Sequence, residues 1–522
     1  MYRQLTAFGR RFSVVGAFLL VAGSATAQSV TPAVRAWRER HEAEITRELV
    51  AFLAIPNVAS DAANIRRNAE TLRAMLERRG ITARLLENGA APPAVFGELR
   101  APGATRTVMF YAHYDGQPVS ASEWATPPWR PVLRGPPMAG DSLADPIPLP
   151  AGGRLDPEAR LYARSASDDK SPIIAMLAAL DALKAAGVAP SVNLKFFFEG
   201  EEEAGSEHLR PLLERNARLL AADVWLFCDG PVHQSRKMQV VFGARGVMGL
   251  EMTVYGPSRA LHSGHYGNWA PNPGALLAEL IASMRDGDGN ILIERFLDDV
   301  VPPTTAERAA VRALPPTDDA LRRSLLIGGS EAAGALLFER ILLPAVNVRG
   351  IRAGQVGALA NNAVPTEARA SFDFRMVPRQ TPERVRELVE AHVTKRGWFI
   401  VREEPTAAER LAHAKVVRLE WEGGYPSVRT LMDLAVSRAV LGVVSEAIGA
   451  PVLALPTLGG SLPLNTFAEV LKVPLITVPI VNHDNNQHAK DENLRLQNLW
   501  DGIEVFAALM ARLGPAWPGV VP

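Results

Sequence analysis

The chain has 522 residues and a mass of 56.4 kDa, which is enough for two or three domains and excludes a single small module. Its 48% hydrophobic, 21% charged and 7% aromatic residues exclude a disordered or fibrous protein. Lysine plus arginine and aspartate plus glutamate both number 56, so no excess charge favours binding to nucleic acid or to an anionic membrane.

The N-terminal residues are typical of an export signal. Arginines precede an apolar run from Phe12 to Gly23, and Ala25-Thr26-Ala27 has the small-residue pattern of a cleavage site. We therefore predict that residues 1–27 are a signal peptide cleaved after Ala27, by either Sec or twin-arginine export, and that the mature protein is periplasmic or secreted. A retained N-terminal anchor is the alternative. The run is too short to span a bilayer, and no stable membrane span is predicted after cleavage.

The first part of the mature chain alternates helical patterns with short apolar runs rich in β-branched and aromatic residues. This alternation is typical of a largely parallel sheet that helices cover on both faces. The predicted strands are Thr107–Ala112, Asn193–Phe198, Val224–Phe227 and Leu475–Val481. A helix is predicted over Ser171–Ala186, and the proline- and glycine-rich stretch Thr126–Pro157 is predicted to be a long surface loop.

A different pattern begins near residue 240, where strands alternate apolar and polar residues as half-exposed strands do. The elements predicted there are the strands Met248–Tyr255, Glu367–Met376 and Val416–Trp421 and a helix after Thr381. The pattern of buried helices and strands then returns. The sequence therefore predicts a mixed α/β domain made of residues 28–238 and 429–522, interrupted by an inserted α+β domain at 239–428.

Acidic and histidine side chains follow the predicted strands of the first domain. They are His113 and Asp115, the run Glu199 to Glu203, Asp229, and His483 and His488. An open parallel sheet binds ligands at the carboxyl ends of its strands, so we expect these side chains at one edge. Each motif alone is more typical of a structural ion pair, a solvated turn or a helix cap. Together the carboxylates would repel one another without a polycation.

A pair of divalent metal ions would remove that repulsion. Because Cys228 is the single cysteine, the chain has neither an internal disulfide nor a thiolate metal cluster. The sequence therefore predicts a metal site built from histidine and carboxylate ligands.

Four segments resemble those of the dizinc peptidase family that includes carnosinase, carboxypeptidase G2, aminoacylase and succinyl-diaminopimelate desuccinylase. The segments are Met109–Val119 (MFYAHYDGQPV), Ser167–Lys170 (SDDK), Phe198–Ser206 (FEGEEEAGS) and Leu261–Gly264 (LHSG). The resemblance covers most of the mature chain in the same order. The insert between about 285 and 345 resembles the helical lid of the carnosinase-like dipeptidase branch. The resemblance implies a metal-dependent hydrolase of amide or peptide bonds.

The resemblance also implies a role for individual residues. The implied metal ligands, with Asp168 shared between two Zn²⁺ ions, are His113, Asp168, Glu203, Asp229 and His488. Mn²⁺ and Co²⁺ are alternatives to zinc. Asp115 would orient His113, and Glu202 would be the general base toward a metal-activated water. A cis peptide bond is implied between Asp168 and Asp169.

Two departures from the family pattern affect these assignments. The glycines that the family has around its Asp-Asp-Lys motif are Ala163, Ser165 and Ser171 here, so the backbone of that loop could differ. Glutamates occupy all of positions 201–203, so the base and the ligand could each shift by one residue, although Gly205-Ser206 favours the alignment given above.

The resemblance assigns the substrate contacts less directly. His262 in the insert would donate to the tetrahedral oxyanion and act in trans within a homodimer formed through the insert. Arg375 and Asn362 would contact a substrate with a free carboxylate, and Gly460 and Ser461 would line the leaving-group end. The expected substrate is a small peptide or an N-acyl amino acid. A dipeptidase or carboxypeptidase is favoured; an N-acyl-amino-acid deacylase, an inactive periplasmic binding protein and a mononuclear hydrolase are the alternatives.

Overall fold

The computed structural model describes residues 30–137, 143–332, 334–461 and 464–517. The predicted signal peptide lies outside these residues, so its cleavage and the export of the protein stay predictions. Within the described ranges, no helix combines the length and the apolar character that crossing a membrane requires.

An eight-stranded mixed sheet forms the centre of the first domain. In spatial order its strands are Thr82–Asn88, Ala91–Leu99, Asn193–Glu199, Thr107–His113, Val224–Phe227, Leu475–Thr477, Gln239–Val241 and Leu453–Leu455. Four neighbouring pairs are parallel and three are antiparallel. The predicted mixed α/β sheet is confirmed. The strand predicted to reach Val481 ends at Thr477, and the hairpin over 82–99 is an addition to the prediction.

Helices cover both faces of this sheet because its central strands are apolar on both sides. Along Thr107–His113, Val108 and Phe110 face one buried cluster, whereas Met109 and Tyr111 face another. The helices of this domain are Thr31–Leu53, Ala62–Arg78, Lys170–Ala185, Leu209–Arg215, Ala217–Leu220, Ala435–Ile448, Leu464–Leu471 and Leu496–Ala516. Each fully buried large side chain contributes about 1.5–3 kcal/mol to stability. Packing on both faces therefore stabilises the central strands, whose carboxyl ends carry the acidic and histidine residues.

The inserted part forms a five-stranded sheet of its own. In spatial order its strands are Ala345–Ala353, Glu367–Met376, Gly246–Tyr255, Val416–Tyr425 and Phe399–Val401. Its helices are Ser263–Tyr266, Pro273–Met284, Thr305–Arg312, Asp318–Ser324, Leu337–Ile341, Pro382–Lys395 and Ala407–Ala412. Phe372 and Phe374 pack with Val385 and Val389 on one face of the sheet, so the predicted alternating strand and the inserted α+β fold are confirmed.

Three further small sheets lie among the described residues. Gly243–Ala244 pairs with Val428–Arg429 where the chain passes between the two large sheets, and Leu261–His262 pairs with Ala363–Val364. Arg160–Tyr162 pairs with Asn493–Arg495 and with Val132–Arg134. The stretch Thr126–Pro157 was therefore wrongly predicted to be only a loop, because the short strand Val132–Arg134 lies within it. The pairing of Arg160–Tyr162 with Asn493–Arg495 brings the segment after His488 beside the segment before Asp168.

Candidate metal centre

The acidic and histidine side chains lie where strands of the large sheet end. His113 is the last residue of Thr107–His113, and Glu199 is the last residue of the neighbouring parallel strand. A 3-10 turn, Glu202–Ala204, follows, and Asp229 lies two residues beyond Val224–Phe227. Because these strands are parallel neighbours, their carboxyl ends bring the side chains to one edge.

Asp168 lies between two histidines. Its Oδ1 is 2.9 Å from Nε2 of His113, and its Oδ2 is 3.0 Å from Nε2 of His488. Gln487 also donates from Nε2 to Oδ2 of Asp168, at 2.6 Å. The peptide bond between Asp168 and Asp169 is cis, as predicted. Asp168 thus has the central position that a carboxylate shared by two metal ions requires.

Asp115 links the histidine to the glutamate turn. Its Oδ1 lies 3.4 Å from Nδ1 of His113, on the side of the ring opposite the nitrogen that faces Asp168. Its carboxylate also accepts the backbone N–H groups of Glu202 and Glu203, at 3.2 and 3.0 Å. One fully buried carboxylate therefore positions both the imidazole and the turn.

The three consecutive glutamates have different surroundings. Glu201 accepts from His208 outside the cluster, at 2.7 Å. Oε2 of Glu203 lies 3.3 Å from Nε2 of His488 and accepts from Nε2 of Gln117 at 2.7 Å. The electrostatic neighbours of Glu202 are His113, Asp229, Asp168 and Glu203. This arrangement favours Glu202 and Glu203, rather than Glu201, as the residues that act in the cluster.

Two groups of side chains could each hold a cation. Ligand atoms of His113, Asp168 and Glu203 lie within 4.8 Å of one another, and so do those of His113, Asp169 and Asp229. The second group contains Asp169, which the sequence analysis did not single out. His483, the weaker of the two C-terminal candidates, has its pKa lowered by burial and makes no hydrogen bond to the cluster in the described part of the chain.

The electrostatics of the cluster calls for positive charge. Burial raises the pKa of Glu203 to about 7 and of Asp229 to about 6, and the charge of Asp168 adds to both increases. Burial also raises the pKa of Glu202 well above its usual value, with Asp229 and Asp168 contributing. Burial alone would raise the pKa of Asp168, but hydrogen bonds from His113 and His488 lower it. Imidazole nitrogen and carboxylate oxygen are donors that suit a divalent ion such as Zn²⁺, so these residues fit a metal pair.

Glu492 is a positioning residue that sequence reasoning missed. It is fully buried, and its oxygens accept the backbone N–H groups of Ser165, Ser167 and Asp168, each at 2.9 Å. The Arg164 guanidinium also donates to it, at 2.8 Å. A buried glutamate four residues after His488 was the available signal, because a buried charge requires partners.

The loop before Asp168 accommodates the departures from the family pattern. Ser165, which replaces a family glycine, has a φ of 60°, a backbone conformation that glycine adopts more readily than other residues. Its hydroxyl accepts a hydrogen bond from Nδ2 of Asn57, at 3.0 Å, so a side-chain contact holds the loop here.

Arg375 and Ser461 are brought together, as expected of two substrate contacts. Nη1 of Arg375 donates to Oγ of Ser461 at 2.9 Å, and its Nε donates to Oδ2 of Asp373 at 2.8 Å. A Cβ at Gly460 would meet no atom within 4 Å, so that segment borders open space. Burial raises the pKa of Tyr425, the charge of Glu202 raises it further and that of Arg375 lowers it. The Tyr425 phenol, which sequence reasoning missed, is therefore under the electrostatic influence of both groups.

The contacts of His262 and Asn362 lie within the inserted part of the chain. Nδ1 of His262 accepts the backbone N–H of Gly264 at 3.1 Å, and its ring contacts that of His265 at a tilt of 38°, with centroids 4.5 Å apart. The backbone oxygen of Asn362 accepts from the N–H of Ser263. Both His262 and Asn362 are exposed, and among the described residues no hydrogen bond or ion pair joins either one to the cluster.

Known proteins resemble this chain over most of its length. The Cys-Gly metallodipeptidase dug1 of Schizosaccharomyces pombe is 27% identical over 508 residues, which cover 92% of this chain and 98% of that protein. The human Beta-Ala-His dipeptidase is 25% identical over 434 residues, covering 81% of this chain and 78% of that protein.

Solved structures share the fold. The M20 family metallo-carboxypeptidase Sso-CP2 from Sulfolobus solfataricus is 26% identical, with a TM-score of 0.70 over 90% of this chain and 99% of that chain. A Bacillus subtilis protein described as a dinuclear metal binding peptidase from the M20 family matches in fold, with 12% identity and a TM-score of 0.50 over 92% of this chain and 98% of that chain.

The family match spans the proposed ligands. Residues 109–512 match peptidase family M20/M25/M40, a range that includes every side chain of the cluster. These relatives support metal-dependent peptide hydrolysis and do not favour the alternatives of a deacylase or an inactive binding protein. The chain therefore belongs to peptidase family M20/M25/M40 and is a metallopeptidase.

Proposed function

We propose that this enzyme hydrolyses small peptides that carry a free carboxylate, as a dipeptidase or carboxypeptidase with two Zn²⁺ ions. The observation that carries the proposal is the pair of sites described above. A carboxylate and imidazole cluster lies at the sheet edge, and an arginine is bonded to Ser461. The charges of Glu202 and of this arginine both act on the Tyr425 phenol, in opposite directions. The printed names of two relatives, a Cys-Gly metallodipeptidase and a Beta-Ala-His dipeptidase, support dipeptides as the substrate class.

The geometry favours one division of the ligands. Oε2 of Glu203 lies 3.3 Å from Nε2 of His488, and Asp229 groups with His113. We therefore assign one ion to His113 and Asp229 and the other to Glu203 and His488. Asp168 contacts both histidines and would be shared. When bound, two such ions would supply Lewis-acid polarisation of the amide carbonyl and would lower the pKa of the attacking water.

Glu202 is the proposed general base. Its environment raises the pKa of its carboxyl group, so it can accept the proton of the attacking water and later deliver it to the leaving amine. Asp115 fixes the backbone of Glu202 and the ring of His113 at once. The base and the histidine therefore keep their relative positions during proton transfer.

Arg375 is the proposed anchor of the substrate carboxylate. A guanidinium group recognises a carboxylate with directed hydrogen bonds. Ser461 and Asp373 hold two of its nitrogens and leave the rest of the guanidinium for the ligand. Binding the carboxylate at Arg375 would place the preceding amide bond toward Glu202.

A panel of substrates tests the function. Zn²⁺-loaded mature enzyme should hydrolyse dipeptides, with N-acetyl amino acids and C-terminally amidated dipeptides as comparison substrates. Faster hydrolysis of N-acetyl amino acids than of any dipeptide would indicate a deacylase instead. Stable metal binding without turnover of any member would indicate a binding protein, and a metal-to-protein ratio of one in active enzyme would indicate a mononuclear hydrolase.

We also propose that the enzyme is exported and acts as a homodimer. In the single chain His262 is exposed and does not touch the cluster, which is consistent with a role in the site of a second subunit. Light scattering tests the dimer, and N-terminal sequencing of periplasmic material tests cleavage after Ala27. A monomer would contradict the first proposal, and material that starts at Met1 would contradict the second.

A further inference from the structure

Arg245 lies between the two parts of the molecule and has no ion-pair partner among the described residues. It follows the strand Gly243–Ala244 and precedes the strand Gly246–Tyr255. It is partly buried, and its Nε donates to the backbone oxygen of Gly459 at 3.0 Å. In the described part of the chain, no carboxylate lies within ion-pair distance of its guanidinium, and its two Nη groups make no hydrogen bond.

The neighbouring arginine already has its counter-ion. Arg375 donates from Nε to Asp373, and Asn347 donates to the other oxygen of that aspartate at 2.7 Å. Arg375 and Asp373 therefore form a matched pair, with side chains that are 30% and 12% exposed. A matched pair attracts an anion less strongly than an isolated cation does.

Both arginines reach the same segment of the first domain. Arg245 bonds to Gly459 and Arg375 bonds to Ser461, two residues further on. Burial lowers the pKa of Arg245 to about 10; the charge of Arg375 lowers it further and that of Asp373 raises it. Arg245 is therefore still protonated at neutral pH. Two guanidinium groups and one carboxylate leave one uncompensated positive charge beside the segment. An unpaired charge in a partly buried position lowers the stability of the protein unless an anion binds beside it.

We propose that Arg245 is a specificity-determining residue whose charge selects substrates with a free carboxylate. In this view Arg375 and Ser461 provide directed hydrogen bonds, and Arg245 provides the charge that the Arg375–Asp373 pair no longer offers. The inference rests on the proposed function, because it names a further residue for the carboxylate end of the same substrate.

The test compares an acid with its amide. The substrates are L-alanyl-L-alanine and L-alanyl-L-alaninamide, which differ only in the terminal charge. Arg245→Gln should lower kcat/KM for the acid by about 10- to 100-fold, as expected for one charge-assisted contact, mainly through KM. The amide should change by less than about threefold, and Arg245→Lys should recover most of the preference for the acid because it keeps the charge.

Arg349→Gln is the matched control. Arg349 lies on the five-stranded sheet of the insert, and Glu251 and Glu422 pair with it at 2.9 and 2.8 Å. Its loss should leave the ratio of acid to amide rates unchanged. Binding of both compounds is also measured by calorimetry on the Glu202→Gln background, so that the readout does not depend on turnover. There Arg245→Gln should weaken binding of the acid and not of the amide.

The outcomes separate the two proposals. The inference is wrong if Arg245→Gln lowers kcat/KM equally for the acid and the amide, or if it leaves the preference for the acid intact. Arg245 would then only hold the connection between the domains. If Arg245→Lys behaves like Arg245→Gln, charge is not what the site uses, and the inference is again wrong. If the parent enzyme neither hydrolyses nor binds either compound, the proposed function itself fails.

Discussion

Replacing Glu492 by glutamine should loosen the loop that carries His488 from the loop that carries Asp168. Glu492 is fully buried and accepts three backbone N–H groups together with the guanidinium of Arg164. Glutamine keeps the size of the side chain but replaces one acceptor oxygen with an NH2 group. That group cannot accept hydrogen bonds from the N–H donors that now contact Glu492. Arg164, whose side chain is 4% exposed, would keep its charge and lose its partner.

The expected loss is large because the pair is buried. Removing one partner of a buried ion pair costs about 3–5 kcal/mol, and we expect the free energy of unfolding to fall by that amount. Equilibrium urea unfolding in the presence of EDTA measures it without a contribution from bound metal. Zn²⁺ affinity, measured separately, should fall about 10- to 100-fold, as for other changes to the groups that orient metal ligands.

Glu70→Gln is the control for charge removal alone. Glu70 lies 3.2 Å from Arg66, but the two side chains are 55% and 45% exposed. An exposed pair of this kind contributes about 0–1 kcal/mol, so the control should unfold almost like the parent. A loss below about 1 kcal/mol for Glu492→Gln would refute the argument, since it would mean that the loops keep their positions without this carboxylate.

Four further measurements follow from the structure. Glu202→Gln should lower turnover about 100- to 10,000-fold while metal content stays unchanged; if it loses a metal and Glu203→Gln does not, the base and the ligand are exchanged. EDTA should abolish activity and lower the melting temperature, and Zn²⁺ should restore both; active enzyme without metal would contradict this. Mixing inactive His262→Ala and Glu202→Gln subunits should restore partial activity if His262 acts in trans. A mixture that stays inactive although the subunits are shown to exchange would contradict this. Burial raises the pKa of Asp501 to about 6 from 3.8, so the free energy of unfolding falls as pH rises from about 4 to 6. Asp501→Asn should remove that fall and raise the free energy of unfolding by about 1–2 kcal/mol above pH 6, allowing for partial exposure. Parallel pH–stability curves for the variant and the parent would contradict this.

The periodic segments were predictable and the irregular ones were not. Glu367–Met376 and Val224–Phe227 have the predicted bounds because alternation or a continuous apolar run defines them. Residues 478–481 are as apolar as the strand before them, yet the regular strand ends at Thr477. Beyond it, the N–H of Val478 donates to the oxygen of Phe227, and the oxygen of Val481 accepts from the N–H of Val232. Hydrophobicity reports burial, and it does not report where strand pairing ends.

The hairpin at the edge of the sheet shows a second limit. Its second strand, Ala91–Leu99, contains Pro92 and Pro93, which normally argue against a strand. The register shifts between Leu86 and Asn88, and prolines are tolerated at such irregular positions. The three-dimensional pairing therefore permits a sequence that local rules assign to a loop.

The residues of the candidate site show the same difference between local patterns, which were predictable, and long-range contacts, which were not. The motif residues were predictable because each lies beside a strand end or within a motif that resembles a known family. Arg245, Glu492 and Tyr425 were missed because their importance comes from neighbours far along the chain. Arg245, for example, meets Gly459, which is 214 residues away. No local pattern distinguishes an unpaired arginine from a paired one.

In the proposed site, different parts of the molecule hold the two ends of one substrate residue. The base and the metal ligands lie at the edge of the large sheet, whereas Arg375 lies on the inserted sheet and reaches Ser461 across the interface. A free carboxylate and the amide bond to be cleaved are separated by one residue in a dipeptide, in a carboxypeptidase substrate and in an N-acyl amino acid alike. The two anchors therefore set the position of the cleaved bond from the carboxyl end. The room on the amino side of that bond decides among the three substrates, and a series of peptides lengthened only at the amino end measures that room directly.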